Sequence, residues 1–335
     1  MKKVLAIIVL CASIVMTPWA ETSAAGAHSS WAVIDADTGR LLDGDNPHEQ
    51  LPIASLTKIW TALTFIEADV AQKDTVISPE AASAEGSSIY LEPGSKVSTT
   101  ELLYGLMLRS GNDAAAALAE HAGGSQDGFV KLMNEQAALY GLKDTHFTNP
   151  SGLHDETHLS TAYDTAMMLY FAMKNKEFKK IASTKQYKRS GENSGVWENK
   201  HRLVTSKTDA VAGKTGFTKV AGRTLATYFE KDGKKVIVVT LNNGNDWNVH
   251  KALAADVFQN YNLMTVAKKG KYSLLPGVTA KLNKPIKLLL KQEEKSKVSS
   301  VMKIPRTQTD SAEGQWTVSL DNEPLVTTLV QISRE

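Results

Sequence analysis

The sequence predicts an α/β protein of the α+β type, with one antiparallel sheet flanked by helices and a small β domain after it. Three observations predict this fold class. Strand patterns at the start of the chain precede a block of helical periodicity, and further strands and a closing helix follow. One antiparallel sheet covered by helices has this order of elements. After about Val266 the chain is rich in lysine and shows short alternating runs, which predict a β-rich domain over residues 266–335.

The strands are predicted from alternation and from the turn residues between them. Residues 31–42 form a strand pair in this prediction, with a turn at Asp37–Gly39. Later, Thr224–Glu230 and Lys235–Leu241 flank Lys231–Lys234, whose central Asp-Gly is a tight hairpin signal.

The helices are predicted from apolar residues that recur with helical spacing. Pro52 stands near the start of the first helix, Asp113 is the predicted N-cap of the third, and Gly123 and Gly124 end it. In chain order, the predicted helices are residues 52–70, 101–108, 113–122, 126–142, 160–174 and 248–263.

The first 25 residues are predicted to be a signal peptide. Lys2 and Lys3 precede an apolar run from Val4 to Met16, and small residues offer cleavage sites after Ala25 or Ala27. The apolar run is shorter than the roughly 20 residues that a membrane-spanning helix needs. We therefore expect an exported protein that acts outside the cytoplasm, in the cell wall or at the outer face of the membrane.

Composition limits the class of protein and its partners. With 335 residues, of which 42% are apolar, the chain is long enough to bury a large core and to form two or three domains. The net charge of +2 gives no case for nucleic-acid binding. The single cysteine, Cys11, lies in the apolar run of the signal, so the exported chain would have neither disulfides nor thiol chemistry.

The first motif with chemical meaning is Ser55-Leu56-Thr57-Lys58, at the start of the first predicted helix. A spacing of three residues puts the hydroxyl and the amine on one helical face. A serine hydroxyl is a weak nucleophile at neutral pH and needs an adjacent base. A lysine can be that base where burial and nearby cations lower its pKa. Alone, the pattern also describes an N-capping serine followed by a solvated lysine.

Two further motifs follow in the chain. Ser110-Gly111-Asn112 lies between two predicted helices, where its hydroxyl and carboxamide can contact the lysine and a substrate backbone. Lys214-Thr215-Gly216 enters a strand, where the glycine permits a close approach and the other two residues offer a cation and a hydroxyl to a carboxylate. In this order, the three motifs form the Ser-x-x-Lys, Ser-x-Asn and Lys-Thr-Gly set of penicillin-recognising serine enzymes.

The longer segments around these motifs resemble the low-molecular-mass D-Ala-D-Ala carboxypeptidases, the S11 family of serine peptidases and penicillin-binding proteins. The segments are Pro52–Lys58, Met107–Ala114, Phe147–Leu153 and Gly213–Thr218, and the resemblance covers residues 30–265. It implies a penicillin-binding, β-lactamase-like transpeptidase fold, with a catalytic domain at residues 26–265. It also implies a carboxypeptidase that removes the terminal D-alanine from peptidoglycan stem peptides and is covalently inhibited by β-lactams, without cofactor or metal.

The resemblance also implies a role for each site residue. Ser55 would be the nucleophile, Lys58 its general base and Ser110 a proton relay. Asn112 would bind the substrate amide. The remaining substrate-binding residues would be Lys214 and Thr215 for the terminal carboxylate, Gly216 for the close approach, and Phe217, whose backbone N–H would complete an oxyanion hole with that of Ser55.

Two alternative functions share these motifs. A class A-like β-lactamase would need a carboxylate that activates the deacylating water. None of the glutamates between Asn112 and Lys214 has the Glu-x-x-Leu-Asn context of those enzymes; they are Glu120, Glu135, Glu156, Glu177, Glu192 and Glu198. The second alternative is a catalytically silent peptidoglycan-binding protein, although all three motifs are intact.

Three weaker patterns were also considered. His154 and His158 have the spacing of zinc ligands, but they follow a turn-rich loop and no third ligand is evident. Gly213-Lys214-Thr215 resembles the end of a phosphate-binding loop, but Thr208 stands where the first glycine is required. The segment Ser87–Leu91 is either a wall of the cleft or a packed strand.

The C-terminal region leaves membrane attachment open. Residues 266–335 carry twelve Lys or Arg against seven Asp or Glu. This excess permits peripheral contact with a membrane or with anionic wall polymers, although a solvated surface is the simpler interpretation. Many relatives end in an amphipathic helix, whereas Leu329–Glu335 is predicted to be a strand.

Overall fold

The computed structural model describes residues 29–68, 74–189, 194–305 and 311–334. In these ranges the chain forms one five-stranded antiparallel sheet with helices on both faces, followed by a second antiparallel sheet near the C-terminus. This architecture confirms the predicted fold class. The predicted signal peptide at residues 1–25 lies outside the described residues.

The helices and strands are numbered in chain order. The strands are β1 Ser30–Asp35, β2 Leu41–Asp45, β3 Asp74–Val76, β4 Lys96–Ser98, β5 Gln186–Arg189, β6 Gly195–Glu198, β7 Ala210–Thr218, β8 Gly222–Lys231, β9 Lys234–Leu241, β10 Asn262–Ala267, β11 Gly270–Leu275, β12 Val278–Leu282, β13 Ile286–Leu290, β14 Val298–Lys303, β15 Ser311–Leu320 and β16 Glu323–Arg334. The α-helices are α1 Thr57–Glu67, α2 Pro79–Ala82, α3 Thr99–Tyr104, α4 Asn112–Gly123, α5 Gln126–Leu139, α6 Ala162–Lys174, α7 Lys176–Ala182, α8 Arg202–Thr205 and α9 Asp246–Asn260.

The central sheet has the strand order β2-β1-β9-β8-β7, and every neighbouring pair is antiparallel. Asp232 and Gly233 join β8 to β9 with positive φ angles of 51° and 77°, as a type I′ hairpin turn requires. The predicted hairpin is therefore confirmed. Strand β7, which carries Lys214-Thr215-Gly216, lies at the edge of the sheet.

The middle strands are buried on both faces, because helices cover each side of the sheet. Ile34 and Val239 pack into the larger cluster, which includes α1, α4 and α6. Val33 and Val238 face the opposite way and pack with residues of α8 and α9. The motifs of the site lie where the first helical layer meets strand β7.

Three details of the helices differ from the sequence prediction. The helix predicted from residue 52 begins at Thr57, after a single 3₁₀ turn at Ala54–Leu56. The helix predicted at 101–108 passes at Gly105–Arg109 into a π-helical turn. The predicted N-cap Asp113 is wrong, because Gly111 occupies that position and the Asp113 carboxylate instead accepts backbone N–H bonds from a loop.

Short elements were not predicted, because three to seven residues give too little periodicity. They are the β3–β4 and β5–β6 ribbons and helices α2, α7 and α8. The predicted closing helix exists as α9, and the next strand begins directly after it at Asn262. The domain division at residues 265 and 266 stays a prediction.

The C-terminal region has its own apolar core. Its sheet has the order β11-β12-β16-β15-β14, and Val318 and Ile332 are almost fully buried between this sheet and the β10–β13 ribbon. The last strand extends to Arg334, which confirms the strand predicted at the end of the chain. Among the described residues, no helix is long and apolar enough to span a membrane.

Candidate active site

Ser55 and Lys58 lie at the junction between the 3₁₀ turn and helix α1. Their side chains meet, with 3.1 Å between Lys58 Nζ and Ser55 Oγ. Ser55 is partly exposed, whereas Lys58 is completely buried. The residue before Ser55, Ala54, has a positive φ of 49°, and such strained backbone in a non-glycine residue is concentrated at functional sites.

Lys58 has three polar neighbours, and their chemistry differs. Nζ lies 2.6 Å from Asn112 Oδ1 and 2.6 Å from the Ser151 carbonyl oxygen, and both of these atoms can only accept hydrogen bonds. A neutral amine has two N–H bonds, and these two acceptors use both. Its lone pair is then left for the Ser55 hydroxyl, which can donate. The geometry therefore suits a neutral Lys58 that accepts a proton from Ser55.

Burial explains why Lys58 can be neutral. It lowers the pKa of Lys58 from 10.5 to about 7, since removal from water disfavours the ammonium form, and nearby Lys200 acts in the same direction. Asp113 opposes the shift. At neutral pH, a large fraction of Lys58 is therefore in the basic form.

The Ser151 carbonyl is directed at Lys58 by the turn that follows helix α5. Asn149 Oδ1 accepts N–H bonds from Ser151, Gly152 and Leu153, at 3.1, 2.8 and 3.1 Å. A single side chain thus organises the Asn-Pro-Ser-Gly-Leu segment. The sequence singled out this segment by resemblance, but only the structure shows its contact with the base.

Ser110 and Asn112 lie on either side of the junction between the π-turn and helix α4. Ser110 is left-handed, with φ 65° and ψ 34°. Its hydroxyl lies 3.0 Å from Lys214 Nζ, so the structure places it beside the second buried lysine. Asn112 Oδ1 accepts a hydrogen bond from Lys58 Nζ, and the Asn112 amide donates one N–H to the Glu85 carbonyl. Since an amide has two N–H bonds, the other can bind a substrate carbonyl.

Lys214 lies behind the cleft surface. Its side chain is almost fully buried, and Nζ contacts Ser110 Oγ and, at 2.8 Å, the Thr215 carbonyl. Burial lowers the pKa of Lys214 well below 10.5, and Lys58 and Lys200 lower it further. In this position Lys214 lies next to the cleft through its contact with Ser110.

The outward peptide groups of β7 can be derived from the strand register. Phe217 pairs with Arg223 of β8, and the Arg223 carbonyl accepts from Asn243 on the side of β9. In an antiparallel pair, the N–H and C=O of one residue point the same way, and hydrogen-bonded pairs alternate with non-bonded ones. The N–H and C=O of Phe217 therefore face the free edge, as do those of Thr215 two residues earlier.

Gly216 brings this edge against the nucleophile. A Cβ atom at this position would lie 2.9 Å from the Ser55 backbone nitrogen and 2.4 Å from Thr224 Oγ1. Any side chain here would push β7 away from Ser55. The predicted close approach is thus a steric requirement of the fold.

An open cleft of about 320 Å³ lies over these groups. Of the predicted site residues, Ser55, Ser110, Thr215, Gly216 and Phe217 line it. Lys58, Asn112 and Lys214 are buried beneath its wall. The lining residues that the sequence did not assign to the site are Ser87, Lys200, Arg223, Thr224, Asp246 and Trp247.

Arg223 is a cation of the cleft wall that two hydrogen bonds tie to a buried carboxylate. Its guanidinium makes two hydrogen bonds to the buried Asp246 carboxylate, at 3.1 and 2.9 Å, and lies 5.7 Å from the Trp247 ring centre. About two fifths of its side chain stays exposed. Arg223 pairs with Phe217 across the strands, a relation that no sequence motif revealed.

The loop of residues 87–91 forms part of the cleft through Ser87 and is not a strand. The buried Asp113 carboxylate holds it by accepting from Ser88 Oγ and from the N–H groups of Ile89 and Leu91. This is the physical role of the aspartate that sequence reasoning assigned to a helix cap.

His158, one of the two histidines with the spacing of zinc ligands, has a structural role. His158 is buried; its Nδ1 accepts from the Thr148 N–H, and its Nε2 lies 2.8 Å from Thr57 Oγ1. Burial lowers the pKa of His158 to about 4. In the part of the chain that the structure describes, no three potential metal ligands come together.

Known proteins are similar to this chain over most of its length. Residues 17–245 match the family model described as D-alanyl-D-alanine carboxypeptidase. The chain is 36% identical over 286 residues to D-alanyl-D-alanine carboxypeptidase DacF of Bacillus subtilis, covering 79% of this chain and 73% of that protein.

Solved structures are similar over two thirds or more of the chain. Penicillin-binding protein 5 from Haemophilus influenzae superposes with a TM-score of 0.74 at 25% identity, covering 91% of this chain and 96% of that one. A D-alanyl-D-alanine carboxypeptidase from Mycobacterium tuberculosis gives a TM-score of 0.65 at 30% identity, covering 68% of this chain and 90% of that one.

Proposed function

The chain belongs to the D-alanyl-D-alanine carboxypeptidase family, peptidase family S11, and on that premise we propose how its residues carry out the reaction. It is a serine-type hydrolase that removes the terminal D-alanine from peptidoglycan stem peptides, and β-lactams acylate it at the same site. Ser55 is the residue that forms the acyl-enzyme. The remaining site residues prepare Ser55, hold the substrate and move protons.

Acylation begins when neutral Lys58 takes the proton of the Ser55 hydroxyl. Oγ then attacks the carbonyl carbon of the penultimate D-alanine, and the oxygen of the tetrahedral intermediate lies between the N–H groups of Ser55 and Phe217. Preorganised donors at such a position commonly contribute about 3–4 kcal/mol each to transition-state stabilisation. The C–N bond then breaks, and the nitrogen of the departing D-alanine takes the proton that Lys58 accepted. Ser110 remains the proposed relay for this proton, although in the structure its hydroxyl contacts Lys214 Nζ rather than Lys58.

Deacylation reverses the roles. Water donates a proton to Lys58 while its oxygen attacks the ester carbonyl, and the Ser55 oxygen leaves and regains its proton. The same base serves both halves of the reaction because no other side chain lies as close to Ser55 Oγ among the described contacts.

The substrate backbone lies along the free edge of β7. The outward N–H and C=O groups of Thr215 and Phe217 are the partners for an added extended strand, a recognised way of binding peptides. The second N–H of Asn112 binds the peptide from the opposite wall. This arrangement places the scissile carbonyl at Ser55.

The terminal carboxylate binds at Thr215 and Arg223. The sequence assigned its charge partner to Lys214, but the buried Nζ of that residue is already bonded to Ser110 and Thr215. Arg223 of the neighbouring strand β8 lines the same cleft with a partly exposed guanidinium, and its ion pair with Asp246 holds it in place. A guanidinium recognises a carboxylate through directed N–H bonds.

The observation that carries this proposal is the contact of buried Lys58 with the nucleophile: Nζ lies 3.1 Å from Ser55 Oγ, while Asn112 Oδ1 and the Ser151 carbonyl take its other hydrogen bonds. The test is a Ser55→Ala variant incubated with benzylpenicillin and, separately, with a D-Ala-D-Ala peptide. We expect neither a mass adduct nor D-alanine release. Peptide mapping of the wild-type adduct distinguishes Ser55 from Ser87 and Ser110, the other serines of the cleft; an adduct on either of them contradicts the assignment.

The same experiment separates the alternative functions. A β-lactamase would turn over nitrocefin rapidly and show only a transient adduct. A silent wall-binding protein would bind muropeptides without forming an adduct. The contacts of Lys58 do not favour a β-lactamase, since its polar neighbours are Ser55, an amide oxygen and a backbone carbonyl rather than a glutamate. The intact Ser55–Lys58 contact does not favour a silent protein.

The substrate places the reaction outside the cytoplasm. We propose that residues 1–25 are the export signal and that residues 26–265 form the catalytic domain. The lysine-rich region at 266–335 is then the part that contacts anionic wall polymers or the membrane surface. Intact mass of the exported protein tests the first point, and salt-dependent binding to purified cell walls tests the last.

A further inference from the structure

A chain of four buried polar side chains lies across the sheet from the catalytic groups, under helices α8 and α9. The four residues are His201, Thr227, His250 and Thr240, and each is at most 1% exposed. None has a role in the reaction described above. Buried polar groups are costly unless they are fully hydrogen-bonded, so the complete bonding of this set calls for an explanation.

The direction of the hydrogen bonds follows from one carbonyl. His201 Nε2 lies 3.2 Å from the Ala226 carbonyl oxygen and 3.0 Å from Thr227 Oγ1. A carbonyl can only accept, so Nε2 carries the proton and His201 Nδ1 accepts from the Val204 N–H. Both nitrogens of neutral His201 are therefore committed.

The chain continues to helix α9. Thr227 Oγ1 accepts from His201, so its own proton is directed to His250 Nδ1, 2.8 Å away. His250 Nε2–H then donates to Thr240 Oγ1 on β9, at 3.0 Å. The side chains thus connect helix α8, strands β8 and β9, and helix α9 through one directed series of bonds.

The His201 end of this series lies directly against strand β7, which carries Lys214. A Cβ atom on Gly213 would lie 2.5 Å from His201 Nε2, so the imidazole packs on the backbone of the residue before Lys214. Ala226, whose carbonyl His201 binds, is the register partner of Lys214 in β8. The His201 ring also makes an edge contact with Trp247 of the cleft, at 5.3 Å between ring centres.

We propose that His201 is a positioning residue for acylation, which holds strand β7 at Gly213 and Lys214 so that Lys214 meets Ser110 and Phe217 N–H meets the oxyanion. The inference rests on the function proposed above, since it concerns that acylation step. His201 is neutral in this buried position. Burial lowers the pKa of His201 to about 4, and nearby Lys214 lowers it too.

The test compares His201→Phe, which keeps a ring but loses all three hydrogen bonds of the ring nitrogens, with His201→Gln, whose amide can still donate to the Ala226 carbonyl. Arg202→Ala, an exposed neighbour on helix α8, is the matched control. A fluorescent penicillin first titrates the functional sites, and the acylation rate constant is then measured per titrated site. Steady-state kcat and KM for a D-Ala-D-Ala peptide are measured on the same samples.

We expect His201→Phe to acylate about 10-fold more slowly per titrated site, because displaced oxyanion donors weaken only the transition state. Its KM should stay within about threefold of wild type, His201→Gln should recover most of the rate, and Arg202→Ala should match wild type. Fewer titratable sites with a normal rate per site would overturn the proposal, since that is the signature of a purely structural residue.

The experiment distinguishes a failure of the proposed function from a failure of the role proposed for His201. If His201→Phe does not fold, Thr227→Val breaks the same series from the other side, and a normal rate per site in that variant equally overturns the inference. If wild type forms no penicillin adduct and releases no D-alanine, the proposed function fails. If wild type is active and the variants equal it per site, only the role of His201 fails.

Discussion

The pH dependence of acylation is the most direct consequence of the Lys58 environment. With a pKa of about 7, about half of Lys58 is neutral at pH 7. A lysine with the ordinary pKa of 10.5 would be only about 0.03% neutral at that pH. The environment therefore raises the concentration of the base roughly a thousandfold, and this gain disappears as Lys58 becomes protonated.

The assay is the second-order rate constant for acylation by a fluorescent penicillin between pH 5 and pH 9. We expect a plateau above about pH 8 and a roughly 10-fold fall for each pH unit well below pH 7, because only neutral Lys58 can accept the Ser55 proton. Lys200 helps to lower the pKa of Lys58. In Lys200→Gln the pKa of Lys58 should rise, so the falling limb of the pH–rate profile (the part below the plateau) should move to higher pH.

Lys214 is a second buried lysine with a lowered pKa, so the limb must be assigned. Lys58→Ala should lose both most of the rate and the limb itself, since the group that titrates is gone. A flat profile from pH 5 to pH 9 in wild type would refute the reasoning. So would an unchanged limb in Lys58→Ala.

Three further outcomes are expected. Gly216→Ala should slow acylation at Ser55 by about 100-fold, because the added methyl group would separate β7 from the oxyanion position. The control, Gly195→Ala, has open space around it and should acylate at the wild-type rate. Equal rates in the two variants would exclude the close approach. Arg223→Gln should lower kcat/KM for a peptide with a free C-terminal carboxylate by roughly 10- to 100-fold, the value of one charged hydrogen bond, with little change for a C-terminal amide; an equal loss on both substrates would contradict its role. Acid should destabilise the fold through His158, whose folded pKa of about 4 lies below the unfolded value of 6.5. Its contribution is therefore complete above pH 6.5 and falls as pH drops towards 4, by about 3 kcal/mol in total; urea unfolding of wild type and His158→Gln at several pH values measures the difference in slope, and equal slopes would exclude it.

Local sequence predicted those parts of the site that depend on short-range geometry. The three-residue spacing of Ser55 and Lys58 keeps the two side chains together even though Ser55 lies in a 3₁₀ turn rather than in α1. The Asp232-Gly233 turn likewise predicted its hairpin, since positive φ angles at both residues suit few other turns.

Prediction failed where a side chain bonds across the chain. Asp113 has the local pattern of a helix cap, but two backbone N–H groups and one hydroxyl of a loop more than twenty residues away compete for its carboxylate. Arg223 has no motif at all. It belongs to the cleft only because β8 pairs with β7 and α9 supplies Asp246.

The residues along the chain specify which reactive groups the site has and their order. Their chemical state depends on how the folded chain packs around them. Lys58 becomes a base because packing excludes water and brings Asn112 and the Ser151 carbonyl to it, over 54 and 93 residues of chain. Desolvation depends on everything that surrounds a group in space, and no local pattern of residues contains that information.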